Sequence, residues 1–247
     1  HMSKTTIPRG GITADAIDAT LIADDAISEE HIDATVITAS TALAAEPADT
    51  DEFLISDAGT IKRIDYSYIK GGGRSTLLNT TTLSSSASQF DITDVMSDTY
   101  SNYLLVWYNG TVSQDGADLR ITFFAGSGTG SHIAGGDEYR YVNHQLITEG
   151  TDNSDTNTTN PFYRPNKSGI GNAADESFNG TMMIWNARST SKSTLLHSEL
   201  SYTSSAGHAI GTRSHGIIKP TNALTGLRFE VASGSMNSGT WKFYGLE

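Results

Sequence analysis

The 247-residue sequence predicts an all-β protein in three parts: a repetitive stalk over 1–50, a β-hairpin neck over 51–73 and a β-sandwich, jelly-roll-like, over 74–247. Three observations carry this expectation. Thr and Ser number 31 and 29, close to a quarter of the chain, and together with 24 Gly they favour strands and turns over helices. Isoleucine recurs at a fixed interval near the start, with a period that belongs to neither helix nor strand. After residue 74, short β-rich runs alternate with turn signals at the spacing of a sandwich or barrel.

The stalk is defined by Ile7, Ile12, Ile17, Ile22, Ile27, Ile32 and Ile37, five residues apart throughout. A step of five turns about 140° around an α-helix, which scatters the side chains, and on a strand it alternates faces. The repeat therefore calls for a unit with its own turn that places one Ile per unit on a common line. The first 52 residues contain no aromatic residue, and residues 1–73 carry 13 Asp+Glu against 5 Lys+Arg. So lean a segment cannot offset its own ordering entropy alone. Burial against copies of itself solves the problem, with Ile12, Ile17, Ile22, Ile27, Ile32 and Ile37 lining a shared axis. A solvated acidic tail is the alternative. A pentapeptide β-helix is set aside, because the position two before the central Ile holds Asp15, Asp25 and Glu30 where a small residue is wanted.

The neck, 51–69, reads as a β-hairpin around Asp57-Ala58-Gly59, with Gly supplying positive φ. A lone hairpin is marginal in water, so it too needs partners. Gly71-Gly72-Gly73 marks a hinge. Beyond it, strands are expected at 76–83, 89–92, 102–108, 118–124, 139–147, 178–186, 194–202, 216–218, 224–232 and 240–246. Asn109-Gly110, Asp115-Gly116, Asn179-Gly180 and the Gly-rich stretch 125–136 are read as turns or connectors. Leu227, Phe229 and Val231 alternate inward. The continuous runs Leu104–Trp107 and Met182–Trp185 suit strands buried on both faces.

The long stretch 150–173 is the candidate binding site, since such a loop in a compact domain usually serves function. Phe162 and Tyr163 can stack on the apolar face of a sugar, while Arg164, Asn166, Asp152 and Asp155 satisfy its hydroxyls. The same aromatics can instead anchor the loop to the sandwich or to a neighbouring subunit. No catalytic residue is assigned: Asp137-Glu138 and Asp175-Glu176 are adjacent, and neighbours on a strand point to opposite faces. The histidines lack ligand spacing and Cys is absent, so no metal or cofactor is expected. A net charge of −12 argues against nucleic acid and anionic membranes. The longest apolar run, 103–108, is too short to span a bilayer. No secretory leader opens the chain, and His1-Met2 reads as a cloning remnant, so the natural protein is expected to begin further upstream.

Acidic repeats such as Ile22-Ala23-Asp24-Asp25-Ala26-Ile27, followed by the Phe53-Leu54-Ile55-Ser56-Asp57-Ala58-Gly59-Thr60 hairpin, resemble the shafts of bacteriophage tail fibres, those of marine phages in particular. The ending Ser238-Gly239-Thr240-Trp241-Lys242-Phe243-Tyr244-Gly245-Leu246 is similar to the closing strand of phage fibre tips. The run 103–124, with its Asp115-Gly116-Ala117-Asp118-Leu119-Arg120 turn, is similar too. The resemblance implies a homotrimeric, non-enzymatic virion protein with a β-prism neck. Its tip would bind a host cell-surface glycan or outer-membrane component, and a preceding region would join other tail proteins. A polysaccharide depolymerase or a purely structural fibre segment are the competing expectations.

Overall fold

The computed structural model describes residues 22, 34–69, 75–219 and 221–246, in two compact units that divide at Gly71 and Gly72. In the first unit a single helical turn, α1 (Thr35–Thr38), leaves Ile37 81% exposed, and Ile22 is exposed as well. Ile12, Ile17, Ile27 and Ile32 lie outside the described residues.

The hairpin forms at the expected place. Strands β1 (Glu52–Asp57) and β2 (Thr60–Asp65) pair antiparallel, with Asp57 opposite Thr60. The two-residue turn Ala58-Gly59 has φ of 49° and 85°, the double left-handed geometry that matches strand twist. Every residue of β1 is exposed, with Leu54 at 80%. The expected strand continuation to residue 69 is corrected: Tyr66–Ile69 is a helical turn, α2, tied back by Tyr66 N–H to Asp51 O and Ser67 N–H to Asp49 O. The β1–β2 ladder ends at the Glu52–Asp65 pair, so residues beyond it have no strand to extend.

The second unit is a β-sandwich-like pair of antiparallel sheets. The large sheet has the order β3-β14-β5-β10-β11-β12-β8-β9, and the small one β4-β13-β6-β7. The large sheet comprises β3 (Ser75–Thr82), β5 (Asn102–Val112), β8 (Tyr139–Ile147), β9 (Asn153–Asn160), β10 (Phe178–Trp185), β11 (Thr194–Thr203), β12 (Ala209–Ile218) and β14 (Met236–Leu246). The small sheet comprises β4 (Gln89–Ile92), β6 (Leu119–Ala125), β7 (Ser131–Ile133) and β13 (Leu224–Val231). Phe229 of β13 meets Trp107 and Trp241 of the large sheet at ring separations of 5.5 and 5.4 Å, and Phe90 sits 4.7 Å from Trp241. Leu227, Phe229 and Val231 are all buried, as their alternation predicts.

The differences from expectation have local causes. Two strands were not expected, β7 inside the Gly-rich connector and β9 inside the stretch 150–173. Both are sheet edges with one partner each; β9 buries no residue and three-residue β7 buries Ile133 alone, so neither is long or apolar enough to show an alternating pattern. Asn109-Gly110 and Asn179-Gly180 are not turns. They lie inside β5 and β10 at a shared irregularity of register, where Asn109 takes φ of 56° and its N–H donates to Asn179 Oδ1 at 2.8 Å. Gly110 is required there because the Phe178 ring lies 2.3 Å from where a Cβ would stand. The runs 104–107 and 182–185 are buried on one face only: Leu105, Trp107, Met182 and Ile184 point into the core, while Leu104, Val106, Met183 and Trp185 are half-buried on the opposite face. Among the described residues no helix is long and apolar enough to cross a membrane.

Candidate functional site

The stretch 161–170 runs inward. Tyr163 exchanges backbone hydrogen bonds with Ile121 of the small sheet at 2.8 Å, and its hydroxyl lies 2.8 Å from Ser198 Oγ of the large one. It is fully buried, and that burial holds its phenol far above the ordinary tyrosine pKa. Asn166 is also fully buried. Its Oδ1 accepts Leu119 N–H at 2.8 Å, and its Nδ2 donates to Asp118 Oδ1 and Ser168 O. Arg164 donates to Asp118 Oδ1 at 2.8 Å and to Lys167 O at 2.6 Å. Phe162 lies under the Arg120 guanidinium, 4.4 Å from its carbon.

The candidate contacts Tyr163 and Asn166 are therefore corrected to core positions, with their polar atoms already spent on the protein. Phe162 and Arg164 are half-buried struts beside them. Asp155 turns toward Lys167, 3.7 Å away. Of the six predicted residues, Asp152 alone lines a groove. Aromatics, Arg and Asn on a polar stretch have the same composition whether they grip a sugar or staple two sheets. Only the direction of the chain separates the two, and no local pattern encodes it.

The small sheet covers one face of the large sheet. On the other face the register sets four strands, β10, β11, β12 and β8, into four parallel rows: Asn179-Ser201-Gly211-Leu146, Thr181-Glu199-Arg213-His144, Met183-His197-His215-Val142 and Trp185-Leu195-Ile217-Arg140. At about 6.6 Å per pair of residues, the rows span roughly 20 Å along the strands. Chemistry changes from row to row, from small and polar through charged and imidazole to apolar.

Two concavities occupy the ends of this patch. A trough of about 690 Å³ with a mixed lining sits over Gly211, whose missing side chain leaves open space, and is bounded by Asp152, Asn179 and Ser201 together with Leu146, Ile147 and Ile210. An apolar groove of about 500 Å³ lies at the other end, floored by Trp185, Leu195 and Ile217 and rimmed by Arg140, His215 and the hydroxyls of Thr156 and Thr158 on β9. Between them the exposed Glu199–Arg213 pair closes at 2.8 Å. His197 and His215 stack at 4.5 Å with planes 3° apart. Burial, then the neighbouring His215 charge, holds the His197 pKa below the ordinary histidine value.

The open face also brings His197 Nε2 to 3.8 Å from Glu199 Oε1. Asp137 is bonded to Lys219 and Glu138 to the Gly135 N–H, while Glu176 accepts Ala173 N–H at 2.6 Å, so each of these acids serves a turn or a pair. Among the described residues no group of three or more His, Asp or Glu is placed to hold a metal ion. Trough and groove had no sequence signal beyond Asp152, because they arise from residues on four strands that only the pairing register brings together. No family model, curated protein or solved structure matches this chain.

Proposed function

We propose that this chain is the distal part of a homotrimeric phage tail fibre, a non-enzymatic virion protein. Its sandwich head binds a host cell-surface glycan through the open face of the large sheet. The observation that carries the reading is the contrast within one chain. Between residues 34 and 69 no residue is buried, although Phe53, Leu54, Ile55 and Ile61 are apolar, whereas the head buries a full set of aromatics. Apolar side chains on an acidic, repeat-bearing segment find shelter in sister chains, and the assembled stalk presents three heads together. Weak per-site affinity for a sugar then multiplies by avidity.

The trough suits a saccharide: Asn179, Asp152, Ser201 and Thr203 supply planar and hydroxyl partners, and Leu146 and Ile147 supply apolar surface, over the small floor at Gly211. Two measurements test the proposal. Sedimentation should give a particle of three times the 26.4 kDa chain mass. Incubation with bacterial surface polysaccharide should give retention without new reducing ends. A monomer overturns the fibre, new reducing ends overturn the non-enzymatic assignment, and absence of retention overturns the head as the adhesive part.

A further inference from the structure

The apolar groove differs from the trough in carrying a cation that no carboxylate is bonded to. The Arg140 side chain on β8 makes no ion pair or hydrogen bond among the described residues. Asp137, the acid that feels its charge, is already bonded to Lys219. A guanidinium free of any ion pair beside an apolar floor is a ready partner for an anionic group. The row Trp185-Leu195-Ile217-Arg140 sets it three strand spacings from the indole, about 14 Å between the end backbones. The long side chains at both ends shorten that span to the scale of one or two sugar rings.

We propose that this groove is a subsite for an acidic sugar, a pyranose carrying one carboxylate, with the carboxylate held by Arg140 and the apolar ring face laid on Leu195 and Ile217 against the Trp185 edge. The planar guanidinium fork matches a carboxylate through two parallel hydrogen bonds. One positive charge on Arg140 balances one negative charge on the sugar. Thr156, Thr158 and the exposed His215 also line the groove and can hydrogen-bond the sugar's hydroxyls. The assignment rests on the reading of the head as glycan-binding and adds to it the class of sugar.

The test uses the full chain and a panel of acidic oligosaccharides: tetragalacturonate, a hyaluronan tetrasaccharide and a sialic acid tetramer, with chitotetraose as the neutral control. Trp185 is half-buried while Trp107 and Trp241 are buried, so indole fluorescence reports this groove. At least one acidic ligand should shift the emission and bind at least tenfold more tightly than chitotetraose. Arg140→Gln should erase that preference without moving the melting temperature, and Trp185→Phe should remove the signal. Equal binding of acidic and neutral ligands, insensitive to Arg140→Gln, overturns the acidic-sugar assignment and leaves glycan recognition standing. Binding of none of the acidic ligands also overturns it, while retention on whole polysaccharide, measured separately, decides the glycan reading. Loss of the oligomer in Leu195→Glu would place a sister chain in the groove and overturn the proposal.

Discussion

The hairpin neck and the sandwich head are built from the same backbone device, antiparallel pairing, and differ in what covers the faces. In the neck two strands pair in full register, yet Leu54 and Ile61 stand in solvent and no residue of β1 is buried. In the head the inner strands of the large sheet bury one face, and Trp107, Trp241, Phe178 and Phe229 fill the space between the sheets. Hydrogen-bonded ladders alone leave a structure marginal, because exposed pairing largely exchanges water for protein partners. Burial of apolar area makes the difference, at roughly 25 cal/mol per Å². The head has that burial, and the described residues of the neck do not.

The largest effect that would sharpen this contrast is in the core. Trp241→Ala, which empties the site bounded by Phe90, Phe178 and Phe229, should cost the head about 3–5 kcal/mol, read as a drop in its denaturant midpoint. Tyr163→Ala should cost a comparable amount, since the side chain is fully buried and bridges the sheets. A variant of unchanged stability would return Tyr163 to the surface role its sequence suggested. Asn166→Ala should cost about 1–3 kcal/mol, because it strands the buried Leu119 N–H.

Alkaline pH should act on the head in the same direction. Burial raises the pKa of Tyr139, Tyr163 and Tyr202, and that of Tyr141 to about 12. Below the unfolded tyrosine pKa of 10.0 the stabilisation is complete, and it is lost as pH climbs from there through about 12, so the melting temperature should fall across that window. Absorbance at the phenolate band should rise together with unfolding.

In the neck, replacing Leu54 and Ile61 together by Ser should lower the sedimenting mass toward a single chain while the head's melting temperature stays put. If both parts melt as one, the two-region contrast is broken. Asp152→Asn is the smallest expected change: weaker retention on polysaccharide with no change in melting temperature.

Much of the head was legible. Strands β4 and β8 fall at their expected bounds, and seven others overlap theirs closely, because β-branched and aromatic runs bounded by turns report pairing directly. Strand β12 was foreseen only at its Gly216–Ile218 end, since residues 209–215 hold His, Ser, Thr and Gly with no apolar rhythm. The site was far less legible. Tyr163 and Asn166 were read as ligand contacts and are internal, while Trp185, Leu195 and Arg140, read as strand residues at most, line an open groove.

Composition and periodicity by themselves determined that this protein is all-β, that the turn at Ala58-Gly59 closes a hairpin, and that Leu227, Phe229 and Val231 point inward. Those properties depend on residues a few positions apart, where sterics and side-chain alternation act locally. Tertiary structure alone decided which face of the large sheet stays open and which side chains share a row on it. A row joins residues from positions as distant as 140 and 217, and its membership shifts with a single step of register, a quantity set by the packing of the whole sandwich.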